Sequence, residues 1–248
     1  MKFDYNAVFK KRQKSDDGSK IIKYPHTSGP ISIAVADGIV SNVIQKKIED
    51  GRYEKHEAKT VAKILDENEV FLELGAGVGV ISTLAWLTGK VREVHCYEAD
   101  PRLIPLIKAT HRENGVQGQV HNVILTNDED ALQAESVDFH IREHFYGNST
   151  ITSVGREVKE TLKIPVQSIN DAIKAIQPTV IACDIEGGEL GLFDDVEMPS
   201  VKKIMLETHQ SAIKGSGMRQ VFHEMHKADF HYDERFSSGS VSVFTKIE

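Results

Sequence analysis

Apolar residues along this chain gather in short unbroken runs, and between the runs they recur every three or four positions. Val70-Phe71-Leu72-Glu73-Leu74, Val94-His95-Cys96-Tyr97-Glu98, Val180-Ile181-Ala182-Cys183-Asp184 and Lys203-Ile204-Met205-Leu206-Glu207 read as strands covered on both faces. Val80–Leu87 reads as an apolar helix stopped near Gly89. Asp100-Pro101 predicts a helix start, Asp as N-cap and Pro at the first helical position. Pro105 should distort that helix's first turn, while Leu103, Leu106, Ile107 and Thr110 give it a buried stripe. A third strand is expected over 120–125.

The stretch 136–166 is harder to read. Val137 to Ile141 alternates, 146–150 is rich in turn residues and 162–166 looks extended, so an insertion of strand and loop is expected. A short helix at Ile169–Ile176, another around 218–228, and a closing hairpin with arms at 230–232 and 241–244 complete the pattern. Strands alternating with helices predict an α/β fold, a mainly parallel sheet covered on both faces. Residues 1–30 read as a polar arm, and 31–248 as one domain. Helical spacing is clearest ahead of the first core strand in Val61, Ile64 and Leu65.

Composition narrows the class. A length of 248 residues suits one large domain, and 40% hydrophobic with 27% charged residues is ordinary for a soluble chain. Mean hydropathy is -0.30. The net charge of -7 makes a nucleic-acid acceptor unlikely, since a duplex binder needs a basic face. The Lys10-Lys11-Arg12-Gln13-Lys14 run reads as a solvated arm, with a basic substrate-binding element the less favoured alternative. Two cysteines, each inside a strand run, make no disulfide framework, so a reducing cytoplasm is expected. The first residues lack a signal-peptide core, and no apolar stretch is long enough for a membrane span. Exchange of the polar arm between subunits leaves a homo-oligomer open.

The chemistry begins where the first core strand enters a glycine-rich turn and then a helix. Such a turn brings backbone close to a ligand and points N–H groups at it. A dinucleotide fingerprint would want glycine or alanine at position 80, which is Val80, and the glycines fall instead at 75, 77 and 79. That spacing suits a ligand with a carboxylate and an ammonium group in place of a pyrophosphate, with Glu73 favouring its positive charge. Glu98 at the end of the second strand, 23 residues after Gly75, is positioned to accept ribose hydroxyls. Loop and acidic strand end together predict an adenosine-containing ligand, with S-adenosyl-L-methionine the best fit.

Several segments resemble the FkbM family of methyltransferases over about 51–209. They are Gly51-Arg52-Tyr53-Glu54, Glu73 to Gly79, Tyr97-Glu98-Ala99-Asp100-Pro101, Asn122, Pro165 to Asn170, Asp184-Ile185-Glu186-Gly187-Gly188-Glu189 and Leu206-Glu207-Thr208-His209. The Asp184 to Glu189 segment is what points to this family. The resemblance implies a Rossmann-like, doubly wound seven-stranded sheet of the class I methyltransferase type. Its order would be 3-2-1-4-5-7-6 with strand 7 antiparallel. It implies S-adenosyl-L-methionine as donor and O-methylation of a sugar or secondary-metabolite hydroxyl. Tyr53, Glu54, Glu73, Gly75, Ala76, Gly77, Gly79, Glu98, Ala99, Asn122 and Asp184 would then hold the donor. The family commonly has lysine where this chain has Ala182.

Asp184, Glu186 and His209 are the catalytic candidates, because a hydroxyl acceptor must lose a proton and all three fall near strand ends. Histidine needs least tuning to act as a base. Glu186 and Glu189 have a plainer reading as charges in the first turn of a helix beginning after Gly187. The carboxylates could instead take a divalent metal, although the spacing is no dedicated metal motif and no metal is expected. His223, His226 and His231 read as surface histidines. The alternatives to a small-molecule or glycan O-methyltransferase are a protein or nucleic-acid methyltransferase and a non-catalytic nucleotide-binding protein.

Overall fold

The computed structural model describes residues 19–27, 29–142 and 158–247. The Lys10 to Lys14 run and the turn-rich 146–150 lie outside the described residues. In chain order the elements are β1 (Lys20–Tyr24), β2 (Ile31–Val35), α1 (Asn42–Glu49), α2 (Lys55–Ile64), β3 (Glu69–Leu74), α3 (Val80–Leu87), β4 (Val91–Tyr97), α4 (Ile104–Asn114) and β5 (Gly118–His121). They continue as β6 (Ile124–Thr126), α5 (Glu129–Gln133), β7 (Ser136–Arg142), β8 (Val158–Ser168), α6 (Ile169–Ile176), β9 (Val180–Cys183), β10 (Lys203–Glu207), α7 (Gln210–Lys227), β11 (Phe230–Tyr232) and β12 (Val241–Lys246).

Seven strands form the main sheet in the order β11-β12-β10-β9-β3-β4-β5. β12 runs antiparallel to β10 and β11, and β10, β9, β3, β4 and β5 run parallel. Counting only these strands, the order is 3-2-1-4-5-7-6 with an antiparallel seventh strand, the doubly wound sheet of the class I methyltransferase type. Strand periodicity sorts the core into two layers. Phe71, Val180, Ala182 and Met205 pack with α1 to α4 on one face. Leu72, Leu74, Ile181, Cys183, Ile204 and Leu206 pack with α6 and α7 on the other. Because both faces are covered, the central strands are apolar without alternation, which is why they could be read from sequence.

Three expectations change. The polar arm does not extend to residue 30: β1 pairs with β2 in an antiparallel hairpin, with Ile22 and Tyr24 buried. The hairpin's free edge is satisfied by α4, where Thr110 Oγ1 accepts from the Ala34 N–H at 3.0 Å and Asn114 Oδ1 from the Ser32 N–H at 3.0 Å. The helix expected at Pro101 starts at Ile104. Asp100 spends its carboxylate on the Arg102 guanidinium and backbone N–H, and Pro105 falls in the first turn, where a missing N–H costs nothing. Finally, the expected third strand divides. β5 stays in the main sheet, while β6 leaves to pair with β8 in a three-stranded sheet of order β6-β8-β7.

Candidate functional site

In an open parallel sheet, neighbouring strands whose crossovers go to opposite faces leave a crevice at their carboxyl ends. Here those strands are β3 and β9. The crevice is a cavity of about 720 Å³, bounded by the loop after β3, the ends of β4 and β9, segment 123–128, the β7–β8 sheet and the turns at 185–194.

The first wall is made mainly of backbone. The Gly75 N–H donates to the Tyr97 carbonyl and the Asp184 N–H to the Leu74 carbonyl, each at 2.9 Å, locking the three strand ends together. Gly75 has φ +81°, and a Cβ there would stand 1.8 Å from the Asp184 carbonyl oxygen. No other residue type fits between these chains. Glu98 is buried and accepts from the Gly77 N–H (2.9 Å) and the Asp100 N–H (2.8 Å). Burial raises its carboxyl to about 7 against the pull of those two bonds. Asn122 donates to the carbonyls of Glu98 and Ala99, both at 2.9 Å, so it fixes the strand end from behind.

Beneath this loop lies a closed polar network. Register places Glu73 opposite Cys96, whose thiol donates to it at 3.3 Å, and Ser82 in the first turn of α3 bonds it as well. Burial raises Glu73 to about 7. Ser82 also meets His111 Nε2 at 2.9 Å, and burial lowers that imidazole to about 4. Glu73 shares the face of Phe71 and therefore looks under α3, away from the cavity. It is not among the residues that line the cavity, although its charge acts on Glu54, which does line it.

The second wall, at the ends of β9 and β10, is made of side chains. His209 Nε2 lies 3.5 Å from Asp184 Oδ1 and 3.6 Å from Glu186 Oε2, while its Nδ1 lies 3.2 Å from Glu189 Oε1. Glu189 also accepts the His209 backbone N–H at 2.8 Å. Burial pulls this imidazole down, but the bond to Glu189 and the fields of Asp184 and Glu186 outweigh it, raising His209 to about 9. An imidazole so placed is drawn toward its protonated form. Burial, with Glu207 close by, pushes Asp184 well above the usual carboxylate range. No helix follows Gly187. Residues 188–195 form turns, entered through left-handed backbone at Glu186 (φ 51°) and Gly187 (φ 99°), and Glu189 is a partner of His209 instead of a helix charge.

Of the residues singled out from sequence, Tyr53, Glu54, Gly75, Gly77, Glu98, Ala99, Asp184 and Glu186 line the cavity. Ala76 is packed in the core, Gly79 is the left-handed N-cap of α3, and Asn122 and His209 stand behind residues that line it. Sequence reasoning missed Leu103, Val123, Ile124, Leu125, Phe139 and Leu190, an apolar part of the lining. It also missed Glu57 of α2, buried and close to Glu207, whose only sequence signal is an acid on the apolar face of a helix. His223, His226 and His231 are exposed, and no described helix is long and apolar enough to cross a membrane.

No protein-family model matches the chain, and no curated protein matches it in sequence. Solved structures do resemble it. The ribosomal protein L11 methylase of Lactobacillus delbrueckii subsp. bulgaricus aligns over 79% of this chain and 80% of its own, with 8% identity and a TM-score of 0.46. Precorrin-6y C5,15-methyltransferase of Geobacter metallireducens GS-15 covers 87% of this chain and 94% of its own, at 11% identity and a TM-score of 0.46. M. jannaschii TYW2 in complex with AdoMet covers 92% and 87%, at 11% identity and a TM-score of 0.45. Likeness at this level carries nothing about what the crevice of this chain accepts.

Proposed function

We propose that this chain is an S-adenosyl-L-methionine-dependent methyltransferase whose acceptor is a hydroxyl group on a sugar or secondary metabolite. The observation that carries the reading is the charge of the crevice. Glu54, Glu98 and Asp184 all line it, and burial raises the carboxyl of each. A pyrophosphate would be repelled by such a site, whereas a ligand bearing an ammonium and a sulfonium supplies the missing positive charge. Glu98 keeps lone pairs free for ribose hydroxyls beyond its two backbone bonds. A cavity of about 720 Å³ has room for a nucleoside-sized donor and a modest acceptor.

The donor supplies a methyl group on a positively charged sulfur. Held against the loop after β3 and Glu98, it would give that carbon to the acceptor oxygen, the sulfur keeping the electron pair of the broken bond. Residues of this chain contribute alignment and exclusion of water, the apolar side being Leu103, Ile124, Phe139 and Leu190. The hydroxyl proton leaves to the carboxylates of Asp184 and Glu186. Resemblance of the Asp184 to Glu189 segment to the FkbM family supports the hydroxyl acceptor, and the acidic second wall disfavours a phosphate-bearing one. The buried free thiols of Cys96 and Cys183 fit a reducing compartment such as the cytoplasm.

Calorimetric titration of S-adenosylhomocysteine into the folded chain tests the donor, with saturable one-to-one binding expected. No binding by folded protein overturns the reading. Asp184→Asn should keep that binding within about threefold and lower methyl transfer to a hydroxyl acceptor about a hundredfold. Product binding without transfer to any hydroxyl, carboxyl or amine tried would favour a non-catalytic nucleotide-binding protein.

A further inference from the structure

We propose that Asp184, Glu207 and His209 form a divalent-cation site at the acceptor end of the crevice. Each offers one ligand atom, and the three atoms lie within 4.8 Å of one another. A small divalent cation with bonds of about 2.1 Å needs its donors roughly 3 to 4 Å apart, a contraction within reach of side-chain rotation. The set comes from the ends of two adjacent parallel strands, β9 and β10, whose register pairs Leu206 with Cys183 and so sets their ends side by side. Two carboxylates and one imidazole suit Mn²⁺ and the metals that resemble it better than they suit thiolate-seeking ions.

Independent features point to a missing positive charge here. Asp184 Oδ1 is shut off from solvent and has no hydrogen-bond partner. Glu57 of α2, itself buried, stands beside half-buried Glu207 and adds a further carboxylate to the group. Among the described residues no lysine or arginine is ion-paired to Asp184, Glu207 or Glu57. His209 Nε2 faces Asp184 and Glu186 while its Nδ1 faces Glu189, so a single ring is set against three carboxylates.

Asp184 both belongs to this set and lines the cavity, so a cation held here has an open side toward the acceptor. Its role would be to bind the acceptor's oxygen and hold it toward the donor. That role rests on the methyl-transfer reading, whereas the binding of the ion does not. Mn²⁺ titrated into the purified chain, followed by loss of the free-ion electron paramagnetic resonance signal, tests the site without any turnover. One saturable Mn²⁺ per chain is expected, displaced by excess Mg²⁺. His209→Ala and Glu207→Gln, checked for native circular dichroism, should each weaken it at least tenfold. Absence of saturable binding in the wild type, or unchanged affinity in whichever variant folds, overturns the site. S-adenosylhomocysteine binding, measured separately on the same samples, keeps the two readings apart. Product binding without Mn²⁺ binding removes only the cation, and Mn²⁺ binding without product binding removes only the methyl donor.

Discussion

The two walls of the crevice are built on opposite principles. Around β3 and β4 the surface is mostly main chain, and its carboxylates are tied down: Glu98 by two backbone N–H groups, Glu73 by Ser82 and Cys96. At the ends of β9 and β10 the surface is side chain against side chain, with like charges crowded about His209. A wall of backbone can hold one ligand shape with little freedom. A wall of side chains can rearrange, and its crowded charges are tolerable only when something positive joins them.

Gly75 belongs to both walls, so its substitution should erase the contrast altogether. Gly75→Ala forces a Cβ into the Asp184 carbonyl at 1.8 Å and penalises φ +81°. S-adenosylhomocysteine affinity is expected to fall at least a thousandfold, with a lower Tm by thermal unfolding. Affinity within tenfold of wild type would show that the walls are not joined at this point.

Acid should attack the backbone wall through His111. Its folded value of about 4 lies below the ordinary 6.5, so the unfolded chain binds more protons between those values. Stability therefore falls as pH drops through 6.5, by roughly 3 kcal/mol at pH 4 from this group. Urea unfolding of wild type and His111→Gln across that range checks it: the variant should lose this part of the slope. Equal slopes would remove His111 as the cause.

A smaller effect separates the walls. Glu98→Gln keeps the side chain's size and removes its charge, and should weaken S-adenosylhomocysteine about tenfold. Mn²⁺ affinity should stay the same, because Glu98 stands on the other wall. A parallel loss of both would mean that the two walls act as one.

How far the sequence foretold all this follows from where each residue's partners lie. β3, β4, β9 and β10 were legible because burial on both faces leaves continuous apolar runs. Glu98 was legible because a strand end and a glycine turn fix its place locally. Counting alternate residues from Phe71 already turns Glu73 under α3. β1 was hidden because its two buried side chains sit among lysines, and the edge partners of its neighbour β2, Thr110 and Asn114, come from a distant helix. The Glu57–Glu207 contact left no trace because its members meet only after the whole sheet has closed. His209 was found, but its protonation depends on three carboxylates gathered by folding.

The division of the expected third strand has one more consequence, and it concerns time. β6 follows β5 after only Asn122 and Val123, yet pairs with β8, which runs straight into α6. The three-stranded sheet is thus tied to the main sheet at two points, its edge strand β5 and the helix α6 packed on one face. Its parallel β6–β8 pair closes a long loop, an entropically expensive contact that forms after cheaper ones. The face of the crevice that β7 and β8 supply is thus joined to the core through its least local pairing, and its amides are expected to exchange sooner than those of β3 and β4.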